Sequence, residues 1–238
     1  MKNNVKWIYS LFVSHWLLLA LCLMCLGHFL HGHSVASDSL SVTEILERIQ
    51  HRYDVTDFEA DFNQQSRLKA MDIVDTAQGH VSFRPPAMMR WHYKTPENYI
   101  LIINTEKLWI YWPEENQVMV GKATDYLGNT GLAEFFAEST KLLNSFHIEQ
   151  SNGEFARKGL HALKLTPKKM EPNIDKAYLL VAEETFDIVE LITYNTFGDE
   201  TRIRFSGLRF NLGLDPYLFE FKIPENADVL QLQTGDQP

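Results

Sequence analysis

Two short motifs contain residue types that could carry out catalysis. The first, Ser66-Arg67-Leu68-Lys69, matches the S-x-x-K pattern, in which a lysine one helical turn away tunes a serine nucleophile. Alternating residues before it predict a strand, and a spacing of three in a strand places Ser66 and Lys69 on opposite faces. The S-D-N and K-T-G partners of this pattern are missing from the sequence. We therefore interpret the match as chance.

The second motif, His147-Ile148-Glu149, matches the H-x-E part of a zinc-deaminase signature. That chemistry needs a C-x-x-C pair as well, and the two cysteines of the chain, Cys22 and Cys25, lie in an N-terminal segment that we expect to be removed. Motifs for other hydrolases and for phosphate binding are also missing from the sequence. We therefore expect that the protein is not an enzyme and that it has no catalytic residue, no cofactor and no metal site. A hydrolase that uses paired carboxylates stays an unfavoured alternative.

The first 36 residues have the pattern of a secretory signal. Lys2 and Lys6 precede an apolar core over Trp16–Leu26, and Ser34-Val35-Ala36 fits the small-residue rule for cleavage. The apolar core is too short to favour a permanent membrane span. The sequence thus predicts a signal peptide over residues 1–36 and one exported domain over residues 37–238.

Cysteine and charge limit what the exported domain can do. Neither cysteine follows the small residue that a lipoprotein signal requires, because Leu21 and Met24 precede them, so we expect no lipid anchor. Removing Lys2 and Lys6 lowers the formal charge from −9 to −11. This acidity argues against binding to nucleic acid or to anionic lipid. We expect a monomer that relies on its core rather than on disulfides.

The exported domain is predicted to open with an amphipathic helix. Ser41 and Glu44 fit a capping box. The apolar residues that follow are spaced so that they lie on one face of a helix, and they form a stripe of Val42, Ile45, Leu46, Ile49 and Tyr53. Alternation from Phe58 onward then predicts a half-buried strand that continues toward Lys69.

The central segment, residues 76–120, predicts an antiparallel meander. Strands are expected over Thr76–Phe83, Met89–Lys94, Tyr99–Ile103, Leu108–Trp112 and Val118–Val120, separated by prolines and polar turns. The last of these hairpins is apolar on both faces. In a sheet with one face exposed to solvent, apolar and polar residues would instead alternate along each strand. Something must therefore cover both sides, and a curved sheet with helices on its concave side would cover one of them.

The second half of the chain predicts more strands after a short helical region near Leu132–Leu143. These strands are expected over Leu160–Thr166, Ala177–Ala182, Ile188–Tyr194, Glu200–Ser206 and Tyr217–Ile223. The fold class is α+β and mainly β, a long antiparallel sheet with a few short helices.

Seven segments in order resemble the LolA family of periplasmic lipoprotein carriers. They are F-E-A-D-F-N-Q at Phe58–Gln64, Gly79 with Pro85-Pro86, R-W-H-Y-K-T-P at Arg90–Pro96, L-W-I-Y-W-P at Leu108–Pro113, L-K-L-T-P at Leu163–Pro167, F-G-D-E-T at Phe197–Thr201 and F-E-F-K-I-P at Phe219–Pro224. The resemblance covers nearly all of residues 37–238.

The resemblance implies an unclosed β-barrel, or strongly curved sheet, whose short helices form a lid over an apolar cavity for acyl chains. It implies a carrier that takes lipoproteins from an ATP-dependent inner-membrane transporter to an outer-membrane receptor of the LolB type. Matched positions give the cavity residues Met89, Trp91 and Leu101, to which we add Phe83 and Trp109. Lid contacts are expected at Leu46, Ile49, Phe135 and Phe136.

The sequence departs from the family pattern at the lid latch. Family members carry Arg-Pro there, but an ungapped match puts Pro85 on the arginine and Pro86 on the proline. Arg84 is one residue away, so strand alternation points it elsewhere unless the prolines form a bulge. We keep Arg84 as a candidate latch. A carrier of another lipid or glycolipid on the same fold is the main alternative, because an apolar cavity suits any acyl chain.

Overall fold

The computed structural model describes residues 40–123, 142–170 and 173–232. The signal peptide predicted over residues 1–36 lies outside these ranges, as do the predicted lid residues Phe135 and Phe136. From the mid-chain helical region the structure describes helix α2, Leu142–Ser145.

Helix α1, Val42–Arg52, begins where the sequence predicts. Ser41 Oγ accepts a hydrogen bond from the backbone N–H of Glu44 at 3.3 Å, and the Glu44 carboxylate accepts one from the backbone N–H of Ser41 at 2.8 Å. These bonds satisfy donors that a helix leaves free at its start, and the Ser41 hydrogen bonds lower the pKa of Glu44. The stripe residues Ile45, Leu46 and Ile49 are fully buried.

The described residues form twelve strands in one sheet. The strands are β1 Phe58–Leu68, β2 Ile73–Arg84, β3 Met88–Thr95, β4 Tyr99–Ile103, β5 Lys107–Trp112, β6 Gln117–Lys122, β7 Phe146–Gln150, β8 Leu160–Pro167, β9 Lys176–Ala182, β10 Ile188–Tyr194, β11 Glu200–Phe210 and β12 Asp228–Gln231.

Two antiparallel meanders meet at the centre of this sheet. The strand order is β12-β6-β5-β4-β3-β2-β1-β11-β10-β9-β8-β7, so β1 pairs with β2 on one side and with β11 on the other. The described pairs are antiparallel except for β12 with β6. Because β12 and β7 stand at opposite ends of this order, the described sheet is unclosed. This confirms the predicted fold class.

The main core lies on the face of the sheet that packs against α1, which we call the inner face. Alternate residues of each strand point to it, as the period of two requires. The core unites Ile45, Leu46 and Ile49 of α1 with side chains from both meanders, among them Phe58, Phe83, Trp91, Leu108, Leu165, Leu179, Leu191 and Phe205.

The opposite, outer face is covered at the β4–β6 end by the C-terminal strap, residues 211–232. Phe221 and Ala227 of the strap pack on a buried cluster of Ile102, Trp109 and Val118. Arg90 also donates to the carbonyl oxygen of Leu218 at 3.2 Å. The strap therefore covers the outer face of the hairpin that the sequence predicts to be apolar on both faces.

The strap corrects one predicted strand. The sequence predicts a strand over Tyr217–Ile223, but Pro216–Phe219 is a 3-10 helix and the residues after it are irregular. Asp215 starts the 3-10 helix by accepting a hydrogen bond from the Tyr217 N–H at 2.9 Å, and Pro216 fits a first helical position. Strand β12 comes later, and the sequence reading missed it, as it missed β7.

Gly79 allows β1, β2 and β3 to pack at their centre. A Cβ atom there would lie 2.1 Å from the backbone oxygen of His92 and 2.7 Å from the ring of Phe62. The pairing of β2 with β3 also shifts register between Gln78 and Gly79. Only glycine fits without moving backbone.

Gly79→Ala is therefore expected to lower the free energy of unfolding by about 3 kcal/mol or more, because the strands must separate to admit the methyl group. Urea unfolding measures the change. Gly153→Ala is the matched control, since nothing lies within 4 Å of a Cβ at Gly153. Equal losses in the two variants would contradict the packing argument.

Candidate functional site

The inner face brings together most of the residues predicted to line a cavity. Phe83, Met89, Trp91 and Leu101 lie in one core cluster and are at most 6% exposed. They occupy neighbouring register positions, because Phe83 pairs with Met89 and Trp91 pairs with Leu101. The result is a continuous apolar surface across β2, β3 and β4.

The helix residues predicted as lid contacts belong to the same cluster. Leu46 and Ile49 are fully buried within it, together with Ile45. The apolar stripe of α1 thus covers part of the inner face and excludes water from it. A ligand with acyl chains could occupy this surface only by displacing such apolar contacts.

Trp109 is placed elsewhere, which corrects the predicted lining. Its neighbours Leu108 and Ile110 contribute to the inner core, so alternation sends Trp109 to the outer face. There it packs with Ile102 and Val118, and its ring centroid lies 6.4 Å from that of Phe221 in the strap. Trp109 is therefore a core residue of the outer face.

A row of aromatic rings continues the inner core toward one end of the sheet. The Phe62 ring lies 4.9 Å from both Trp91 and Tyr93. Tyr93 then stacks on Tyr99 at 4.2 Å, and Tyr99 lies 5.9 Å from Trp112. Tyr93, Tyr99 and Trp112 are half-buried, so the row forms a rim where the apolar inner face meets water.

The rim carries a polar partner that the sequence reading missed. Tyr93 Oη donates to Gln64 Oε1 at 3.0 Å, and Gln64 Nε2 donates to Ser66 Oγ at 3.2 Å. Alternation along β1 places Gln64 on the same face as Phe62, which was the available signal. The rim can therefore offer hydrogen bonds to the polar part of a ligand beside an apolar surface for its chains.

Helix α1 is anchored to the sheet through its last turn. Arg52 Nε lies 2.6 Å from Asp187 Oδ1 in the turn between β9 and β10, and the Arg52 guanidinium stacks over Phe210 at 3.8 Å. The buried hydroxyl of Tyr53 accepts a hydrogen bond from the Ile188 N–H at 3.0 Å. The sequence reading did not find this anchor, because 135 residues separate Arg52 from Asp187.

Arg84, the candidate latch, contacts the strap. Its guanidinium donates to the carbonyl oxygen of Leu214 at 3.0 Å. The buried carboxylate of Asp57 holds the same loop, accepting hydrogen bonds from the N–H groups of Leu212 at 2.6 Å and Leu214 at 2.9 Å. Since Phe83 faces the inner core, alternation directs Arg84 to the outer face.

The two motifs that could suggest catalysis are engaged in structural contacts. Ser66 Oγ accepts a hydrogen bond from Gln64 Nε2. The side chain of Lys69 packs against Gly198, and a Cβ added at Gly198 would lie 3.0 Å from it. Glu149 pairs with Lys164 at 2.9 Å. Within the described ranges, no group of three or more metal-ligating side chains converges. Those ranges also contain no helix with the length and apolar character of a membrane span.

The sequence and the fold match known proteins. Residues 54–222 match the family described as outer membrane lipoprotein carrier protein LolA. An outer-membrane lipoprotein carrier protein of Azotobacter vinelandii is 27% identical over 190 residues, which cover 80% of this chain and 86% of that protein. One from Nitrosospira multiformis is 30% identical over 172 residues, covering 72% and 80%.

A solved structure supports the fold independently. The crystal structure of an uncharacterized conserved protein from Thermus thermophilus aligns with a TM-score of 0.53. The alignment covers 81% of this chain and 100% of that one, at 14% sequence identity. At this identity the likeness concerns architecture alone.

Asp187→Asn is expected to loosen α1, because the amide keeps the shape but loses the charge that pairs with Arg52. The pair is partly exposed, so we expect a loss of about 1 kcal/mol in local stability. Hydrogen exchange of the α1 amides should then speed up several-fold, while that of central strands such as β1 stays unchanged. Glu149→Gln, which breaks the Lys164 pair, is the control and should leave α1 exchange as it is. Uniform acceleration across the sheet would contradict a local anchor.

The Tyr53 anchor predicts a dependence on alkaline pH. Burial raises the pKa of the Tyr53 phenol above its usual value of about 10. The folded state then holds a proton that the unfolded state releases, so this contribution is complete below about pH 10 and is lost as the pH rises further. Tyr53→Phe should be less stable than the parent at neutral pH but should lose less stability between neutral and strongly alkaline pH. Unfolding in urea across that range tests this, and parallel pH curves for the two proteins would contradict it.

Proposed function

The chain belongs to the LolA family of outer membrane lipoprotein carrier proteins, and from that membership we propose that it carries lipoproteins across the periplasm. In this proposal the inner face takes the acyl chains of the cargo, with Phe83, Met89, Trp91 and Leu101 as lining. Leu46 and Ile49 of α1 act as lid contacts, as do Phe135 and Phe136. Residues 1–36 direct export and are removed, leaving residues 37–238 as the carrier.

The observation that carries the proposal is the continuous apolar core between α1 and an unclosed sheet. A lipid anchor with some 45 methylenes would cost on the order of 35 kcal/mol to expose to water, at about 0.8 kcal/mol for each methylene. That figure is an upper limit, because exposed chains pack on each other. Free diffusion of such a cargo through an aqueous compartment is therefore excluded, and a carrier must cover the chains.

The closed inner face also supports moderate affinity. Ile45, Leu46 and Ile49 are buried against the apolar surface, so cargo binding at this surface replaces one set of apolar contacts with another. The net free energy is the difference between the two, which keeps release possible. A carrier that exposed an empty apolar cavity would bind more tightly and would also aggregate.

The proposed carrier has two membrane partners and no catalytic activity of its own. Cargo is received from an ATP-dependent inner-membrane transporter and delivered to an outer-membrane receptor of the LolB type. The carrier itself has no catalytic role and binds neither nucleotide nor cofactor. Arg52 and Tyr53 hold α1 over the inner face, and release of this end of the helix accompanies loading.

Native mass spectrometry of the protein purified from the periplasm tests the proposal. We expect a fraction that carries a triacylated lipoprotein. A bound free lipid or glycolipid would instead support a carrier of another lipid on this fold. If the protein is empty, it should accept a lipoprotein from inner-membrane vesicles supplied with ATP, and failure there would overturn the proposal.

Leu101→Glu is expected to abolish loading, because it places a charge where acyl methylenes would pack. The neighbour Ile102 is the matched control, because it is also buried but lies on the outer face. Ile102→Glu shares the cost of burying a charge and spares the proposed cavity. Co-purified lipoprotein should vanish with Leu101→Glu and persist in the folded fraction of Ile102→Glu. Equal loss of co-purified lipoprotein in both variants would contradict the inner face as the cargo site. If the charged variants fail to fold, Leu101→Asn and Ile102→Asn allow the same comparison.

A further inference from the structure

One end of the sheet exposes four large apolar side chains. They belong to two adjacent turns, residues 69–72 between β1 and β2 with the start of β2, and residues 195–199 between β10 and β11. We call these residues together the sheet tip. The exposed fractions are 63% for Met71, 42% for Ile73, 49% for Val74 and 81% for Phe197.

One hydrogen bond and a close packing contact join the two turns into one surface. The backbone N–H of Lys69 donates to Asp199 Oδ1 at 2.8 Å. Gly198 has a φ of +82°, and a Cβ there would lie 3.0 Å from the Lys69 side chain, so glycine permits the close approach. Met71 and Phe197 are thus presented by the same end of the sheet.

Side-chain hydrogen bonds shape each turn while leaving its apolar residue exposed. Asn195 Oδ1 accepts hydrogen bonds from the N–H groups of Phe197 at 3.0 Å and Asp199 at 2.9 Å. In the other turn, Arg67 pairs with Asp72 at 2.9 Å. In the F-G-D-E-T segment, Gly198 and Asp199 therefore shape the turn, and the side chain of Phe197 is exposed to solvent.

We propose that the sheet tip inserts into the interface of a phospholipid bilayer, so that the carrier rests on a membrane by this end. The biological use of such a contact depends on the proposed carrier function, because the cargo's acyl chains start and finish in membranes. The tip also lies beyond the rim of the inner face: Leu68, paired with Ile73, shares a strand face with Phe62 and Gln64. Docking by the tip would bring the rim close to the lipid.

The chemistry of the tip suits a bilayer. These four side chains contain no nitrogen or oxygen atom, so they offer apolar burial without directional hydrogen bonds. A bilayer interface accepts such groups without a matching shape.

Charge opposes this contact only weakly. The sheet tip, residues 69–74 and 195–199, contains one cation, Lys69, and two acids, Asp72 and Asp199, so its formal charge is −1. The whole chain has a formal charge of −9, so the tip holds only a small share of the negative charge that an anionic membrane repels.

The test is sedimentation of the exported protein with vesicles of phosphatidylethanolamine containing a minor share of phosphatidylglycerol. The parent should bind, and added salt should not weaken binding, since burial rather than charge drives it. Met71→Glu and Phe197→Glu should each lower the vesicle partition coefficient roughly tenfold or more. Met170→Glu is the matched control, because Met170 is 94% exposed in another loop, and it should bind as the parent does.

A label reports the contact directly. Met71→Cys carrying an environment-sensitive fluorophore should shift to the blue on vesicles, and labelled Met170→Cys should not. A parent that does not sediment, or equal loss of binding in the Met170→Glu control, would overturn the proposal. It would also fall if tip variants bound vesicles normally but failed to receive lipoprotein, which would assign the tip to a protein partner.

Retention of lipoprotein in solution separates this proposal from the carrier function. The tip lies outside the inner-face core, so tip variants should keep cargo already loaded. A parent that holds lipoprotein but does not bind vesicles would reject the tip and preserve the carrier. Vesicle binding by a chain that never holds lipoprotein would preserve the tip and reject the carrier.

Discussion

The inner face of the sheet must be covered, and most of the structure follows from that constraint. Its strands present Phe, Trp, Leu and Ile side chains over a wide area, and α1 supplies the stripe of Ile45, Leu46 and Ile49 that excludes water from part of it. The helix is joined to the sheet by an ion pair and a hydrogen bond at its last turn, together with its apolar contacts. Apolar contacts are non-directional, which is the property that the proposed exchange of α1 contacts for acyl chains requires.

The outer face has a different cover with a different character. The C-terminal strap reaches it through a loop fixed by the buried carboxylate of Asp57 and by Arg84, and it then packs Phe221 on the β4–β6 hairpins. Buried carboxylate–amide bonds are directional and costly to break. The sheet is thus backed by specific hydrogen bonds on one side and covered by non-directional apolar contacts on the other. This difference between the two faces agrees with the carrier function proposed above.

The rim and the sheet tip lie beyond the α1 stripe and the strap. At the rim, half-buried aromatic rings stand beside Gln64 and give the inner face an amphipathic edge. At the tip, two turns hold apolar side chains in water. Both features lie toward the same end of the sheet.

The sequence by itself determined most of the secondary structure and the apolar character of the faces. The capping box set the start of α1, and alternation located most strands to within a few residues, because both signals are local. It could not decide that Trp109 faces outward, since Leu108 and Trp109 are both apolar and alternation separates the faces without saying which is inner. It also mistook Tyr217–Ile223 for a strand, because its alternating apolar residues outweighed the local signals of Asp215 and Pro216 for the 3-10 helix that begins there. Only the tertiary structure paired Arg52 with Asp187 and placed Lys69 against Gly198, since such pairs are fixed by the register of strands far apart in the chain, and register depends on the burial of the whole sheet.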